Sequence, residues 1–499
     1  MPHLSLALAA ALLGLDPQAP ADPPPRAALD AVTALEATLV DAIARAEPSV
    51  VAIARDKDGK TEETTRVRGR GIPTPPVAEE PRLAFGRFPD LNGLDGDGPD
   101  YVASDYGSGV VIGTRGEILT AFSVVRGASR LLVRAAGVSV KEFDAEVVAA
   151  DPRSDLAVIA PCSPATHPRP RYAPLPPADL AKLRPLPLGD ASKLRKGNFL
   201  LAFGNPFNSG RDGQAAASWG ILANIARRLD SAQVEPRARQ LRHYPTLLQL
   251  DAKLNLGMSG GAVINLRGEL VGLTTAAANA GGFDAQAGYA LPVDGLARRA
   301  IEALRDGREV EYGFLGIGLS PDGSNRVDNV TPGTPAAEGG LVINDAILSI
   351  GGLPVTDLDS LVLAVNAFAP GAPIKVRVRR DGHEAERTVI LSKLPIVGEV
   401  IATSRPASWR GLRVDFVSTS VRSNRGDDVL GAMARGGVVV SEVQPGSAAE
   451  DAELKPGQVV TAVEDQPVRS PAEFAKAVAD RPGNVTLRIE GDQRILVKP

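Results

Sequence analysis

The stretch Asn255-Leu256-Gly257-Met258-Ser259-Gly260-Gly261-Ala262-Val263-Ile264-Asn265 constrains this 499-residue chain more than any other. Three glycines around one serine permit a sharp backbone turn and a close approach of main chain to a bound group. The apolar run behind them reads as a strand, and Leu266 to Ala276 completes a hairpin. A serine on such a turn is placed to act as a nucleophile, with the amides of Gly257 and Ser259 facing a developing oxyanion. The same pattern also suits a structural Gly-Ser loop, so its neighbours must decide.

The length predicts about three domains at ~150 residues each. Apolar content of 44% and charged content of 23% suit soluble globular domains, and 51 glycines with 41 prolines favour β-rich units with many turns. A net charge of -4 without a long basic cluster argues against nucleic acid as a partner. Cys162 is the only cysteine, which excludes an intramolecular disulfide; it reads as a small buried hydrophobe. No His/Cys/Asp cluster and no Gly-rich phosphate loop with a lysine occurs, so neither metal nor cofactor is expected. Residues 4–15 form an apolar run of signal-peptide length, too short to span a bilayer, although no Lys or Arg precedes it. Residues 1–21 are read as a signal peptide, which predicts an exported protein, periplasmic or extracellular. No integral membrane segment is expected.

Between residues 29 and 46, Leu29, Val32, Leu39, Val40 and Ile43 recur at helical spacing. Residues 56–104 lack periodicity and read as a long loop. From Gly107 to about Leu291, short β-rich runs alternate with turn residues, as a two-barrel antiparallel fold requires. A Pro-rich stretch over 161–187 interrupts them. Asp294 is placed to cap a helix carrying Leu296, Ala300, Ile301 and Leu304, within a linker over 292–307. Two later segments, 308–395 and 409–499, repeat one layout: a glycine-bearing loop, a Pro-Gly-Thr/Ser turn, a strand and a helix. Residues 395–408 lie between them as a linker.

Upstream of the serine come Gly107-Ser108-Gly109-Val110-Val111-Ile112, Asp151-Pro152-Arg153-Ser154-Asp155-Leu156-Ala157-Val158, Leu200-Leu201-Ala202-Phe203-Gly204-Asn205-Pro206-Phe207 and Ser218-Trp219-Gly220-Ile221-Leu222. In that order the blocks closely resemble the HtrA/Deg serine proteases, over roughly residues 30 to 499. The resemblance implies a mainly β chain: a trypsin-like double β-barrel over 30–291, followed by two α+β PDZ domains. It makes Ser259 the nucleophile and Asp155 the orienting acid, with Gly257, Met258 and Ser259 around the oxyanion hole.

Where the family carries a histidine in Thr-x-x-His-Val-Val, this chain has Thr120-Ala121-Phe122-Ser123-Val124-Val125. A serine hydroxyl has no pKa near neutrality and cannot take a proton as imidazole does. Loss of the base in a comparable triad lowers turnover by about a million, so a pseudoprotease is expected. The alternative is an active endopeptidase whose base is displaced to His243 or His167, or one that uses water-assisted chemistry. His3 and His383 lie in the signal and the first PDZ-like segment.

The resemblance further implies that Gly313, Phe314, Leu315, Gly316 and Ile317 form a loop that holds the carboxylate of a peptide added to a sheet edge. Arg413 and Asp415 make the second groove more polar. Expected partners are unfolded proteins or C-terminal peptides in protein quality control, with a homotrimer or assembly with an active paralogue. No Phe, Tyr or Trp precedes Phe85, although relatives trimerise through N-terminal aromatics. A third reading is a structural envelope protein whose grooves are blocked.

Overall fold

The computed structural model describes residues 26–56, 105–140, 142–162, 175–205, 212–227, 246–255, 257–275, 288–320, 322–394, 401–422 and 436–499. The expected signal peptide, nearly all of the 56–104 loop, and His3, His167 and His243 lie outside these residues.

Helix α1 (Arg26–Ala46) leads into a first barrel. Its strands are β1 (Val50–Asp56), β2 (Asp105–Val111), β3 (Ile118–Ala121), β4 (Arg130–Arg134), β5 (Phe143–Asp151) and β6 (Leu156–Pro161). They are ordered β5-β4-β1-β2-β3-β6, and pairing of β5 with β6 closes the ring. A one-turn helix, α2 (Phe122–Val125), directly follows β3. The second barrel is built from β7 (Phe199–Gly204), β8 (Ala216–Arg227), β9 (Leu247–Leu250), β10 (Ala262–Asn265), β11 (Leu270–Thr274) and β12 (Gly288–Pro292).

Strand β7 reads Phe-Leu-Leu-Ala-Phe because both of its faces are buried. Leu200 and Ala202 fill the second barrel with Leu222, Leu250 and Val263. Leu201 and Phe203 face the opposite way, into a core shared with Val110, Leu119 and Val158 of the first barrel. That shared layer also receives Leu296, Ala300, Ile301 and Leu304 of α3 (Gly295–Arg305). Asp294 caps α3 as its position predicts, its carboxylate accepting from the Ala297 amide at 2.9 Å.

Helix α1 corrects one expectation. Leu39, Ala42, Ile43 and Ala46 pack on the shared core, whereas Leu29, Val32 and Val40 are more than half exposed. The contacting set is spaced i, i+3, i+4, i+7, and Val40 lies one position, about 100°, off that stripe. Small alanines let the helix approach.

The first PDZ unit has β13 (Gly313–Phe314), β14 (Ile317–Leu319), β15 (Val327–Val330), β16 (Ala346–Ile350), β17 (Leu353–Pro354), α4 (Leu358–Asn366), β18 (Pro373–Arg380), β19 (His383–Ile390) and β20 (Ser392–Lys393). Its ladder β17-β16-β18-β19 has one wet face: Ile374, Val376 and Val378 are buried. Lys375 and Arg377, on the other face, pair with Glu386 and Glu384.

A short strand, β21 (Ile401–Ala402), falls in the stretch read as a linker, yet it joins the first barrel by pairing with Ala149 and Ala150 of β5. The second PDZ unit follows, with β22 (Leu412–Phe416), β23 (Val438–Val443), β24 (Val459–Val463), β25 (Gln466–Pro467), α5 (Pro471–Val478), β26 (Val485–Ile489) and β27 (Gln493–Val497).

Two buried polar hubs tie these units together. In the first, the Tyr312 hydroxyl donates to Asp151 Oδ2 at 2.6 Å, and Ser154 Oγ donates to the same oxygen at 2.8 Å. Arg153 pairs with Asp151 Oδ1 at 2.8 Å and lies over the Tyr312 ring, 4.5 Å from its centroid. In the second, Lys393 Nζ meets Glu309 at 3.0 Å, Glu311 at 3.1 Å and Asp415 at 2.9 Å. Burial lowers the Lys393 pKa, but the three carboxylates outweigh it and hold the ammonium above the usual lysine range.

Candidate active site

Three segments meet where the barrels join. Ser259 lies on the turn before β10, Ser123 on α2 after β3, and Asp155 on the turn between β5 and β6. Strand β2 fastens the serine turn: the Ser108 amide donates to the Ser259 carbonyl at 2.8 Å, and Ser108 Oγ donates to the Gly257 carbonyl at 2.7 Å. Gly257 and Gly260 have φ of 91° and 81°. A side chain on Gly260 would overlap the Ser108 carbonyl and the Thr120 hydroxyl, so the glycine brings the serine turn onto the end of β3, three residues before Ser123.

Ser123 faces Asp155. Its amide donates to Asp155 Oδ1 at 2.8 Å, and its hydroxyl donates to Oδ2 at 3.4 Å. Thr275 Oγ1 donates to Oδ2 at 3.1 Å. Arg55 holds the other end of α2, donating to the carbonyls of Ser123 and Arg126, each at 2.9 Å. Asp155 is buried and has φ of 54°, a left-handed conformation that Asp tolerates better than most residues. Burial pushes its carboxyl above the ordinary range, against the hydrogen bonds from Ser123 and Thr275 and the nearby charge of Arg126. Ser123 is exposed and Ser259 half-buried.

That arrangement predicts a stability cost. A carboxyl whose folded pKa is raised destabilises the fold above that pKa, and the cost vanishes as pH falls below the unfolded value. Asp155→Asn is therefore expected to stabilise the protein at pH 7 by on the order of 1 kcal/mol. The gain over wild type, read from denaturant midpoints, should shrink as pH falls toward 4. An equal gain at both values would exclude ionisation as its cause.

Of the three residues expected around the oxyanion hole, two have amides without a partner among the described residues. Among the described residues, the amides of Gly257 and Ser259 donate to no protein group, and the Ser259 hydroxyl makes no hydrogen bond. The Met258 amide instead donates to the Asn255 carbonyl at 3.1 Å. Its side chain lies in the second-barrel core, and its sulfur accepts from the Asn255 amide at 3.4 Å. Packing in the core, which sequence reading did not assign to Met258, holds this turn from inside. Cys162 is buried as expected, and burial with the charges of Glu146 and Asp144 pushes its thiol up to about 11.

The only described histidine, His383, begins β19 on the first PDZ hairpin, its Nδ1 3.0 Å from the Asp381 carbonyl oxygen. No imidazole is brought to Asp155 among the described residues, and no group of His, Cys, Asp or Glu there is arranged to hold a metal ion.

The two peptide-loop candidates differ. In the first, Gly316 has φ of 85°, and among the described residues the amides of Leu315 and Gly316 donate to no protein group. Phe314 turns away and packs against Val417 and Val459 of the second unit. In the second, Arg410 and Gly411 both have positive φ, and the Leu412 amide donates to the Trp409 carbonyl at 2.8 Å. The second loop is closed on itself. Arg413 pairs with Glu442 at 2.7 Å and Asp415 with Lys393, so both polar residues of that groove strand have partners inside the protein.

Double barrel, serine turn and paired C-terminal units define a trypsin-like peptidase fold carrying PDZ domains. Family comparison agrees: residues 107–273 match a trypsin-like peptidase domain, and residues 313–391 and 439–491 each match a PDZ domain. The chain is 30% identical to a probable periplasmic serine endoprotease DegP-like of Ectopseudomonas mendocina, over 84% of this chain and 86% of the relative. It is 28% identical to the periplasmic pH-dependent serine endoprotease DegQ of Escherichia coli, over 85% and 86%. The chain belongs to the HtrA/Deg family. Among the described residues, no helix is long and apolar enough to cross a membrane.

Proposed function

We propose that this chain is an exported HtrA/Deg pseudoprotease that holds C-terminal or unfolded peptides through its first PDZ domain in protein quality control. The observation that carries the reading is Ser123 beside Asp155, where proton transfer from Ser259 needs an imidazole. The nucleophile, orienting carboxylate and oxyanion amides assigned to the site have, among the described residues, no imidazole beside them to take the proton. Export is supported by the periplasmic relatives and by the apolar run at residues 4–15. A homotrimer or assembly with an active paralogue is part of the same proposal.

Cleavage of a histidine-free unfolded substrate by the full chain tests it, beside Ser259→Ala, His243→Ala and His167→Ala. Wild type is expected to match Ser259→Ala. Cleavage that either histidine variant abolishes would favour the displaced-base endopeptidase instead.

Peptide capture is expected to depend on the first loop and not the second. A peptide with a free C-terminal carboxylate should bind the full chain at least tenfold tighter than its amide twin by fluorescence anisotropy. Gly316→Ala, strained by its φ of 85° and by overlap with Thr334, should remove that preference. Gly411→Ala should leave it. No binding by wild type would support the structural reading with blocked grooves.

A further inference from the structure

We propose that the site cleaves, through Ser259, peptides that carry a histidine within two residues of the scissile bond, the substrate imidazole serving as the base. This rests on the reading of Ser123 as a lost base and goes beyond it, because it assigns the protein a substrate class.

Everything except the base is in place. The Ser259 hydroxyl makes no hydrogen bond among the described residues, so no described group competes for its proton. The Gly257 and Ser259 amides are likewise free to bind an oxyanion. Asp155 still presents Oδ2, and its bond from Ser123 Oγ is 3.4 Å, at the outer limit of a hydrogen bond. An imidazole N–H that displaced it would give up little and gain a charge-assisted bond as the ring took a proton. Ser123 is exposed, so a ring that displaces its hydroxyl from the buried Asp155 approaches from solvent. One extended residue spans about 3.3–3.6 Å, so a histidine within two residues of the bond has its backbone within about 7 Å of the carbonyl that Ser259 attacks. A loop serine with a full set of internal hydrogen bonds would offer none of this.

The steps balance as ordinary acyl transfer. Ser259 Oγ attacks the scissile carbonyl while its proton passes to the imidazole nitrogen that faces it. The other ring nitrogen keeps its hydrogen and donates to Asp155. The imidazolium returns the proton to the leaving amine as the C–N bond breaks. Water then attacks the acyl-enzyme carbonyl, its proton passing to the imidazole of an acyl-side histidine or, where that histidine has left with the amine, to the imidazole of a second histidine peptide. The C–Oγ bond breaks and the imidazolium returns the proton to Ser259 Oγ, which releases the acid and restores the enzyme. Neither an oxidant nor a metal takes part.

The test uses the full chain and quenched fluorescent peptides that differ only in His or Gln at each of the two positions on either side of the bond. Added imidazole is tested with the Gln set. A base in position contributes ~10²–10⁴-fold, so at least one His peptide should be cleaved ~100-fold or more faster than its Gln twin. That cleavage should be lost in Ser259→Ala and reduced in Asp155→Asn. With His and Gln peptides both inert in wild type while Ser123→His cleaves the Gln set, the proposal fails and the pseudoprotease reading stands. Equal cleavage of His and Gln peptides by wild type would overturn both.

Discussion

Ser123→His is expected to raise Ser259-dependent casein cleavage by ~10³-fold or more over wild type. In a comparable triad the base is worth about a million in turnover, so the lower figure allows for imperfect placement of the new ring. The local structure favours it. The residue 123 amide already donates to Asp155 Oδ1 at 2.8 Å, Arg55 holds the helix end, and the exposed position accepts a larger side chain. Imidazole at 123 would donate one N–H to Asp155 and turn its other nitrogen toward Ser259. The double variant Ser123→His with Ser259→Ala should return to the wild-type baseline. A folded but inert Ser123→His would locate the defect in the serine turn itself, where Met258 and its core contacts become the next residues to change.

Asp151→Ala is expected to destabilise the first unfolding transition by ~3–5 kcal/mol, because it leaves the buried Arg153 without its partner. Tyr312 and Ser154 lose their acceptor at the same time. Tyr312→Phe removes one hydrogen bond to a charged group and should cost less, roughly 1.5–3 kcal/mol. Both are read from denaturant midpoints of the full chain. Burial raises the Asp151 pKa, but the charge of Arg153 and the bonds from Tyr312, Arg153 and Ser154 outweigh it and hold the carboxyl below its ordinary value. Its stabilisation is thus present above about pH 4 and lost as pH falls through the depressed folded pKa. A loss below 1 kcal/mol in Asp151→Ala would mean that water replaces the hub and that packing alone seats the first PDZ domain.

The two variants probe features that differ in how far they can be read from sequence. Ser123 is visible because its neighbours sit in a short local block, and the resemblance to the family's Thr-x-x-His-Val-Val block marks it as a serine where an imidazole is expected. The same holds for the glycines of the serine turn, where positive φ demands them, and for the Asp294 cap, whose partner is three residues away. The β-rich runs between residues 107 and 291 were legible, but not that the two faces of β7 serve different cores. Helix α1 shows the limit of periodicity: the spacing identified a helix, and packing chose the stripe that includes two alanines over the larger Leu29, Val32 and Val40.

By itself the sequence determined most of the elements, their order along the chain, the repeat of the PDZ layout and the serine at residue 123. These follow from contacts a few residues apart or from side-chain chemistry that needs no geometry. Only the tertiary structure decided that Tyr312 completes the shell of Asp151, 161 positions away, and that Ile401 and Ala402 join the first barrel. It also decided that the second peptide loop is closed by Leu412 and Trp409 while the first is not. A single long-range hydrogen bond or a two-residue strand leaves no periodic trace in a sequence, because its partner is selected by the packing of everything between them.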